Sequence, residues 1–212
     1  EGMYFLKGSN KPLSAIIEKY FPDGNLKETG KIKKGLKSGL WKYFTQTDKY
    51  TFLKEIGEYK KNKRVGEWKL YFSNVRDNYK VFKYKKGNKN GEYFHFYKNK
   101  IAQKGSYSNG KKEGLFIETP AVGNISSWAI SEYDDKLGYW ERVYKNDKNS
   151  GIWRAFIVLD NKSILIAREK YQNDKLVYNK NYYHIFDDTE ESYTDKSLDH
   201  YEQRTKKYFK GP

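Results

Sequence analysis

The feature that most constrains the fold is a short motif that recurs along the chain. Each of five copies has a glycine nine residues after its first position and a large aromatic residue two residues later. The glycines are Gly39, Gly66, Gly91, Gly114 and Gly151. The aromatic residues are Trp41, Trp68, Tyr93, Phe116 and Trp153. An earlier degenerate copy places Ala15 and Ile17 at these positions, and successive copies then follow at 24, 27, 25, 23 and 37 residues. A period in the twenties predicts an array of small supersecondary units.

Each copy has the pattern of a β-hairpin. Apolar and aromatic residues alternate with lysine and glutamate on both arms, as in 57–60 and 68–71, and a period of two is typical of strands. The arms are joined by turns such as 108–111 (SNGK), in which asparagine and glycine tolerate positive φ. Successive hairpins are joined by turns such as 21–24 (FPDG), with proline and glycine where a type I turn favours them.

The glycine before each aromatic residue predicts a local irregularity of the strand. Glycine inside a strand pattern marks a bulge or a close approach of two backbones. We expect one of these at each copy, because a side chain at this position would clash with a neighbouring hairpin.

The composition is that of a folded chain with a thin core built largely from rings. Only 37% of the 212 residues are apolar, but 18% are aromatic, including 21 tyrosines, and each ring buries a large area. The chain has no cysteine, which excludes disulfides, thiolate metal sites and cysteine nucleophiles. No apolar run approaches ~18 residues, so no transmembrane segment is predicted.

Positive charge is concentrated in the first part of the chain. The net charge is +15, with 36 lysines and only 6 arginines. Residues 1–120 hold 27 basic and 12 acidic residues, whereas residues 121–212 hold 15 of each. A codon bias toward lysine would act on the whole chain, so it does not by itself explain this asymmetry.

The motif resembles the MORN repeat, and more closely its bacterial variant, whose members are often labelled antitoxin-like. The resemblance, roughly G-x-Y-x-N-G-K-x-x-G-x-W-x-x-Y, rests on YFPDGNLKETGKIKKGLKSGLWKYF (20–44) and AQKGSYSNGKKEGLF (102–116). It covers 11–116 well and the remainder thinly. It implies an all-β fold, an elongated twisted antiparallel sheet of stacked β-hairpin repeats. It also implies a bacterial binding or scaffolding protein of the envelope, periplasmic or surface-exposed rather than cytoplasmic.

Three regions follow from these patterns. Residues 1–118 are the basic MORN-like repeats, and 119–186 are divergent repeats that continue the sheet after a break in the period at 119–137. Residues 187–212 hold an acidic segment and a C-terminal cap. Apolar spacing becomes helical there, at Leu198, Tyr201, Thr205 and Tyr208. With Asp195 as its N-cap, this predicts a small capping helix within 190–209 that covers the last hairpin.

The sequence shows no pattern typical of an enzyme. Its three histidines, His95, His184 and His200, are scattered, and His95 lies in an aromatic strand pattern typical of a packed residue. The motifs HExxH, CxxC and G-x-S-x-G are absent. Glycine-rich segments such as 85–91 lack the strand–loop–helix setting of a phosphate-binding loop. We therefore expect no catalytic residues, no metal site and no cofactor.

Lysine-rich turns are the first candidate binding site. In the hairpin arrangement the first turn of each copy lies at the same edge of the sheet. The predicted basic edge consists of Lys33, Lys34, Lys37, Lys60, Lys61, Lys63, Arg64, Lys85, Lys86, Lys89, Lys111 and Lys112. It suits an acidic protein, anionic lipid headgroups or a polyanionic glycan. Nucleic acid is disfavoured, because base readout and stacking favour arginine. Lysines in turns also keep an edge soluble and unpaired, so both explanations stay open.

An aromatic face is the second candidate site. Rings that recur at one height in each hairpin would form a ladder across the sheet. The predicted members are Trp41, Trp68, Tyr93, Phe116 and Trp153. Rings in a groove suit peptides or sugars, whereas rings that stack on one another only hold the sheet together.

These features favour a non-enzymatic repeat module that binds another protein through the basic edge or the aromatic face. Two alternatives stay open: an antitoxin or immunity protein that neutralises a partner toxin, and a module that binds anionic lipid or glycan at the cell envelope. An enzyme with an unrecognised site is the competing class, and it would require a pocket with converging carboxylates or histidines.

Overall fold

The protein is built from antiparallel β-strands. The computed structural model describes residues 2–74, 76–119, 138–159 and 162–181. These residues form fifteen strands and no helix, which confirms the all-β prediction. None of them belongs to a helix that could cross a membrane. The chain divides into two compact units, Glu1–Lys112 and Glu113–Pro212.

Unit 1 is an antiparallel sheet whose strands follow one another in chain order. Its strands are β1 (Ala15–Tyr20), β2 (Leu26–Lys33), β3 (Leu36–Gln46), β4 (Thr51–Lys60), β5 (Lys63–Tyr71), β6 (Tyr79–Lys85), β7 (Asn88–Tyr97), β8 (Lys100–Ser108) and β9 (Lys111–Lys112). Each strand from β1 to β8 pairs with the next, and the short β9 pairs with β8. This is the predicted stack of hairpins.

Unit 2 has the same antiparallel pattern. Its strands are β10 (Gly114–Glu118), β11 (Tyr139–Lys145), β12 (Lys148–Asn149), β13 (Gly151–Leu159), β14 (Lys162–Gln172) and β15 (Lys175–Asn181). The order is β10-β11-β13-β14-β15, and β12 pairs with β11. The division between the units falls within the fourth copy of the motif. Most of the predicted break, 120–137, and the predicted capping helix, 190–209, lie outside the described residues.

The repeat turns are tight two-residue hairpin turns. Both central residues have positive φ at 34–35, 61–62, 86–87, 109–110, 146–147 and 173–174. This is the type I′ geometry, whose twist matches that of the flanking strands. The predicted turn at 108–111 is therefore confirmed, with φ of 49° at Asn109 and 90° at Gly110. The turn predicted at 21–24 is closed by the Gly24 N–H, which donates to the Phe21 carbonyl at 3.0 Å.

The second glycine of the motif marks a bulge, as predicted. Gly30 lies opposite Trp41, but Lys31 lies opposite Ser38, so two residues of β3 bulge out of the pair. Gly39, one of the two, has φ of 66°, in the left-handed region that glycine enters at little cost. The register shifts at the corresponding point between β4 and β5.

The close approach lies at the first glycine rather than the second. A Cβ on Gly39 would meet nothing within 4 Å, so the predicted clash with a neighbouring hairpin is absent there. A Cβ on Gly30 would lie 2.6 Å from Cγ of Trp41, and one on Gly57 would lie 2.5 Å from Cγ of Trp68. The tryptophan ring of the next strand therefore packs directly on the first glycine.

Candidate functional site

The predicted aromatic residues of unit 1 lie in one row across its sheet. Each member is directly opposite the next on the neighbouring strand: Ile17, Gly30, Trp41, Gly57, Trp68, Phe82, Tyr93 and Gly105. Ile17 lies opposite glycine as Trp41 does, which matches its position in the degenerate copy. We call the side of the sheet that carries this row the ladder face and the opposite side the back face.

The ladder rings are a core. Relative exposure is 0% for Trp41 and 2% for Trp68. The other three predicted rings, of which Phe116 and Trp153 belong to unit 2, are 0–7% exposed. Tyr59 fills the space between the two tryptophans, with ring centroids 5.9 and 5.1 Å from theirs. The rings therefore pack on one another, and in this conformation a peptide or sugar has no access to them.

Backbone hydrogen bonds hold the lysine-rich turns of unit 1 together at one edge. The N–H of Asn62 donates to the carbonyl of Lys37 at 3.0 Å, across two successive hairpins. The same bond recurs from Gly87 to Arg64 at 3.0 Å and from Gly110 to Lys89 at 2.8 Å. The predicted common edge is therefore a feature of the structure, with each turn fixed against the preceding hairpin.

Strand alternation divides the predicted basic edge into two sets. Four residues, each two positions before a bulge glycine, lie opposite ladder-face side chains. We name them the ring caps: Lys37, Arg64, Lys89 and Lys112. The other eight are exposed at the turns. We name them the edge lysines: Lys33, Lys34, Lys60, Lys61, Lys63, Lys85, Lys86 and Lys111. A ring cap precedes its aromatic residue by four positions, an even number that places both on one face.

Lys37 shows what a ring cap does. Its side chain is buried, and its Nζ lies 4.6 Å from the ring centroid of Trp41 and 5.3 Å from that of Tyr59. The ammonium also donates to the Tyr43 hydroxyl at 3.1 Å. An ammonium held over aromatic faces and shielded from water is stabilising by about 1–2 kcal/mol. Lys37 therefore covers the ladder instead of extending into solvent.

Arg64 and Lys89 have the same role in the next two hairpins. The Arg64 guanidinium lies 4.0 Å from the Trp68 ring centroid and pairs with Glu55 at 2.6 Å. Lys89 Nζ lies 3.9 Å from the Phe82 centroid. Lys112 is half-buried on the same face. The exposed positive charge of the edge therefore comes from the eight edge lysines.

One buried histidine lies among polar groups on the ladder face. His95 is 6% exposed, and its Nε2 lies 2.9 Å from the side-chain oxygen of Asn78, so Nε2–H is the donor and Nδ1 carries no proton. Burial, together with the nearby Lys80 ammonium, lowers the pKa of His95 to about 4. The ring is therefore neutral at neutral pH and acts as a packed residue, as its sequence context predicts. His184 and His200 lie outside the described residues.

Unit 2 contains a buried ion pair. Glu118 is 5% exposed and pairs with the guanidinium of Arg142 at 2.6 Å. Arg142 occupies the position of the first glycine in its copy, opposite Phe116, and its guanidinium lies 5.1 Å from the Trp153 centroid. The arginine thus covers rings in unit 2 as the ring caps do in unit 1.

Within the residues that the structure describes, no group of three or more His, Asp and Glu side chains could hold a metal ion. Comparison with protein-family models and with curated proteins gives no match. The resemblance to the MORN variant therefore rests on the motif residues alone.

Proposed function

We propose that this chain is a non-enzymatic repeat module of the MORN-variant type that binds an acidic protein through its edge lysines. The observation that carries the proposal is the separation of the basic residues into two sets. The ring caps are used in packing, whereas eight lysines remain exposed on turns held in register by backbone hydrogen bonds. A surface of one charge on a rigid frame favours a partner of the opposite charge.

The spacing of the turns suits an extended polypeptide. Successive hairpins are displaced by two strand spacings, about 10 Å, which is also the length of about three residues of extended chain. An acidic segment that runs along the edge can therefore place a carboxylate near each turn in succession. Each exposed pair contributes little, about 0–1 kcal/mol, so the affinity comes from several pairs together.

The two units differ in charge in the way that this proposal requires. Unit 1 contains 27 basic and 10 acidic residues, a net charge of +17, whereas unit 2 contains 15 basic and 17 acidic residues, a net charge of −2. All eight edge lysines belong to unit 1. Such an asymmetry steers an acidic partner to unit 1 and raises its association rate at low salt.

The test uses fluorescently labelled polyglutamate as the acidic polypeptide and fluorescence anisotropy of the full chain as the readout. Replacing Lys60, Lys61, Lys85 and Lys86 with glutamate changes the charge of the edge by eight units. We expect affinity to fall at least about tenfold, or about 1.4 kcal/mol, and folding to change by only about 0.5 kcal/mol per site, because these side chains are exposed.

The matched control changes the charge of unit 2 by the same amount, with glutamate at Lys145, Lys148, Lys170 and Lys175, which are also exposed. It should lose much less affinity. Wild-type binding should weaken steeply with added salt, since exposed charges are screened beyond ~8 Å at physiological ionic strength. Equal losses in both variants would contradict a site at the edge. Tighter binding to phosphatidylglycerol vesicles or dextran sulfate than to polyglutamate would assign the edge to lipid or glycan instead.

A further inference from the structure

The back face of unit 1 carries a continuous apolar patch that no single segment of the sequence reveals. Four of its side chains lie directly opposite one another on four successive strands from β5 to β8, and two more form an adjacent pair on β6 and β7. We name these six the back patch: Tyr71, Tyr79, Val81, Phe94, Phe96 and Ile101.

The back patch is partly open to solvent. Ile101 is 49% exposed, and the four rings are half-buried around a buried Val81. Within 2–74 and 76–112, no second layer of strands or helices covers this face. Residues 2–14 precede the sheet, and their Tyr4 and Leu13 pack against the cluster that holds Trp41 on the ladder face. Among the described residues of unit 1, the patch is therefore an accessible apolar surface on the back face.

The rings of the patch are turned toward one another. Tyr79 and Phe96 stack with centroids 4.8 Å apart and planes 15° apart, and Tyr71 lies 5.6 Å from Tyr79 on its other side. Stacking of a nucleotide base or a sugar requires an open ring face, and Tyr79 and Phe96 turn their faces toward each other. The ring edges and the aliphatic side chain of Ile101 suit the apolar side chains of a protein.

The surroundings of the patch are positively charged. Exposed Lys42 and Lys104 lie in the row of residues that runs through Val81 and Phe94. Two acidic side chains of this face are already paired, Glu67 with Lys69 at 3.8 Å and Glu92 with Lys83 at 2.5 Å. Five edge lysines also lie at back-face positions of their strands: Lys33, Lys60, Lys63, Lys85 and Lys111.

We propose that the back face of unit 1 is the docking surface for an acidic protein, with the back patch as its apolar part and the edge lysines as a charged border on one side, about 13–26 Å away along the strands. This inference rests on the proposed function and adds to it where the partner lies and what chemistry it presents. Protein interfaces combine apolar area with a charged border, and a few well-packed side chains supply most of the affinity. The partner is an acidic surface that presents aromatic or aliphatic side chains.

The experiment compares two labelled probes of equal length, polyglutamate and a random copolymer of glutamate and tyrosine, by fluorescence anisotropy with the full chain. The copolymer offers both charge and rings, whereas polyglutamate offers charge alone. We expect wild type to bind the copolymer more tightly, by about tenfold or more. Phe96→Thr should remove this difference and leave the affinity for polyglutamate unchanged.

Matched variants separate docking from folding. Tyr97→Thr is the control, since Tyr97 is the next residue of β7, lies on the ladder-face side and is 36% exposed; its affinities should equal those of wild type. Ile101→Glu is the second test, because this exposed position tolerates glutamate in the fold and its charge repels an acidic partner. It should weaken copolymer binding at least about tenfold, with an unchanged melting temperature.

The outcomes distinguish this inference from the proposed function. If both probes bind wild type equally and binding depends only on the edge lysines, the edge site stands and the back-face site is wrong. Copolymer binding that survives both Phe96→Thr and Ile101→Glu would overturn the back-face site as well. If neither probe binds, the proposed function itself fails.

Discussion

Replacing Gly57 with alanine should be among the most destabilising single-methyl changes in unit 1. The new Cβ would lie 2.5 Å from Cγ of Trp68, where ordinary contact begins at 3.4 Å, so the ring must move by about 1 Å. It has little room, since Trp68 is 2% exposed and is enclosed by Tyr59 and by the Arg64 guanidinium. Overpacking costs about 1–3 kcal/mol, and the disturbed cation–π contact adds about 1 kcal/mol. Alanine recovers about 1 kcal/mol of backbone entropy, which leaves a net loss of about 1–3 kcal/mol.

The assay is urea unfolding of the full chain followed by far-UV circular dichroism. Gly66→Ala is the matched control, because it adds the same methyl to the same hairpin where nothing lies within 4 Å. Its φ of 65° makes alanine unfavourable by about 1–2 kcal/mol. In the Trp68→Ala background, Gly57→Ala should cost almost nothing, because the indole volume is vacant. The same penalty in both backgrounds would refute the close approach as its cause.

Two further predictions concern buried charge. The folded-state pKa of His95 is lowered to about 4. Stability should therefore fall as pH drops below the unfolded-state pKa of ~6.5, by about 3 kcal/mol at pH 4. Chemical denaturation measured across pH should show this loss of stability in wild type and not in His95→Gln. Arg142→Met leaves Glu118, 5% exposed, without its guanidinium and should cost about 3 kcal/mol. Arg154→Met, which removes a more exposed pair with Glu141, should cost less than about 1 kcal/mol in the same urea assay.

The hairpins and their turns could be predicted from sequence because their determinants are local. Asparagine and glycine occupy the turn centres because the backbone there has positive φ, as at Asn109 and Gly110. The arms alternate apolar and polar residues with the period of a strand. The row of rings could be predicted as well, since it follows from the constant distance between each bulge glycine and its aromatic residue.

The roles of the glycines and the lysines depend on pairing between strands. Which glycine lies beneath a ring is decided by register, since Gly57 and Trp68 are opposite each other although eleven positions apart. When the lysines are grouped by turn, Lys37 falls in the same group as its exposed neighbours. Its distance of four residues from Trp41, however, places its side chain on the ladder face. The back patch was missed for the same reason, because its members come from four strands whose alignment no single segment reveals.

The central claim is that the basic residues of unit 1 perform two separate tasks. The most direct measurement is the free energy of unfolding of two variants that each remove three positive charges. One carries glutamine at the ring caps Lys37, Arg64 and Lys89; the other carries asparagine at three equivalent turn positions: Lys34, Lys61 and Lys86. Both sets lie in the same three hairpins.

We predict that the ring-cap variant loses at least about 3 kcal/mol, since each cation–π contact contributes about 1–2 kcal/mol. The turn variant should lose nothing and could gain slightly, because asparagine adopts the φ of about 50° at these positions more readily than lysine does. Equal changes in the two variants, or a larger loss in the turn variant, would contradict the division into ring caps and edge lysines.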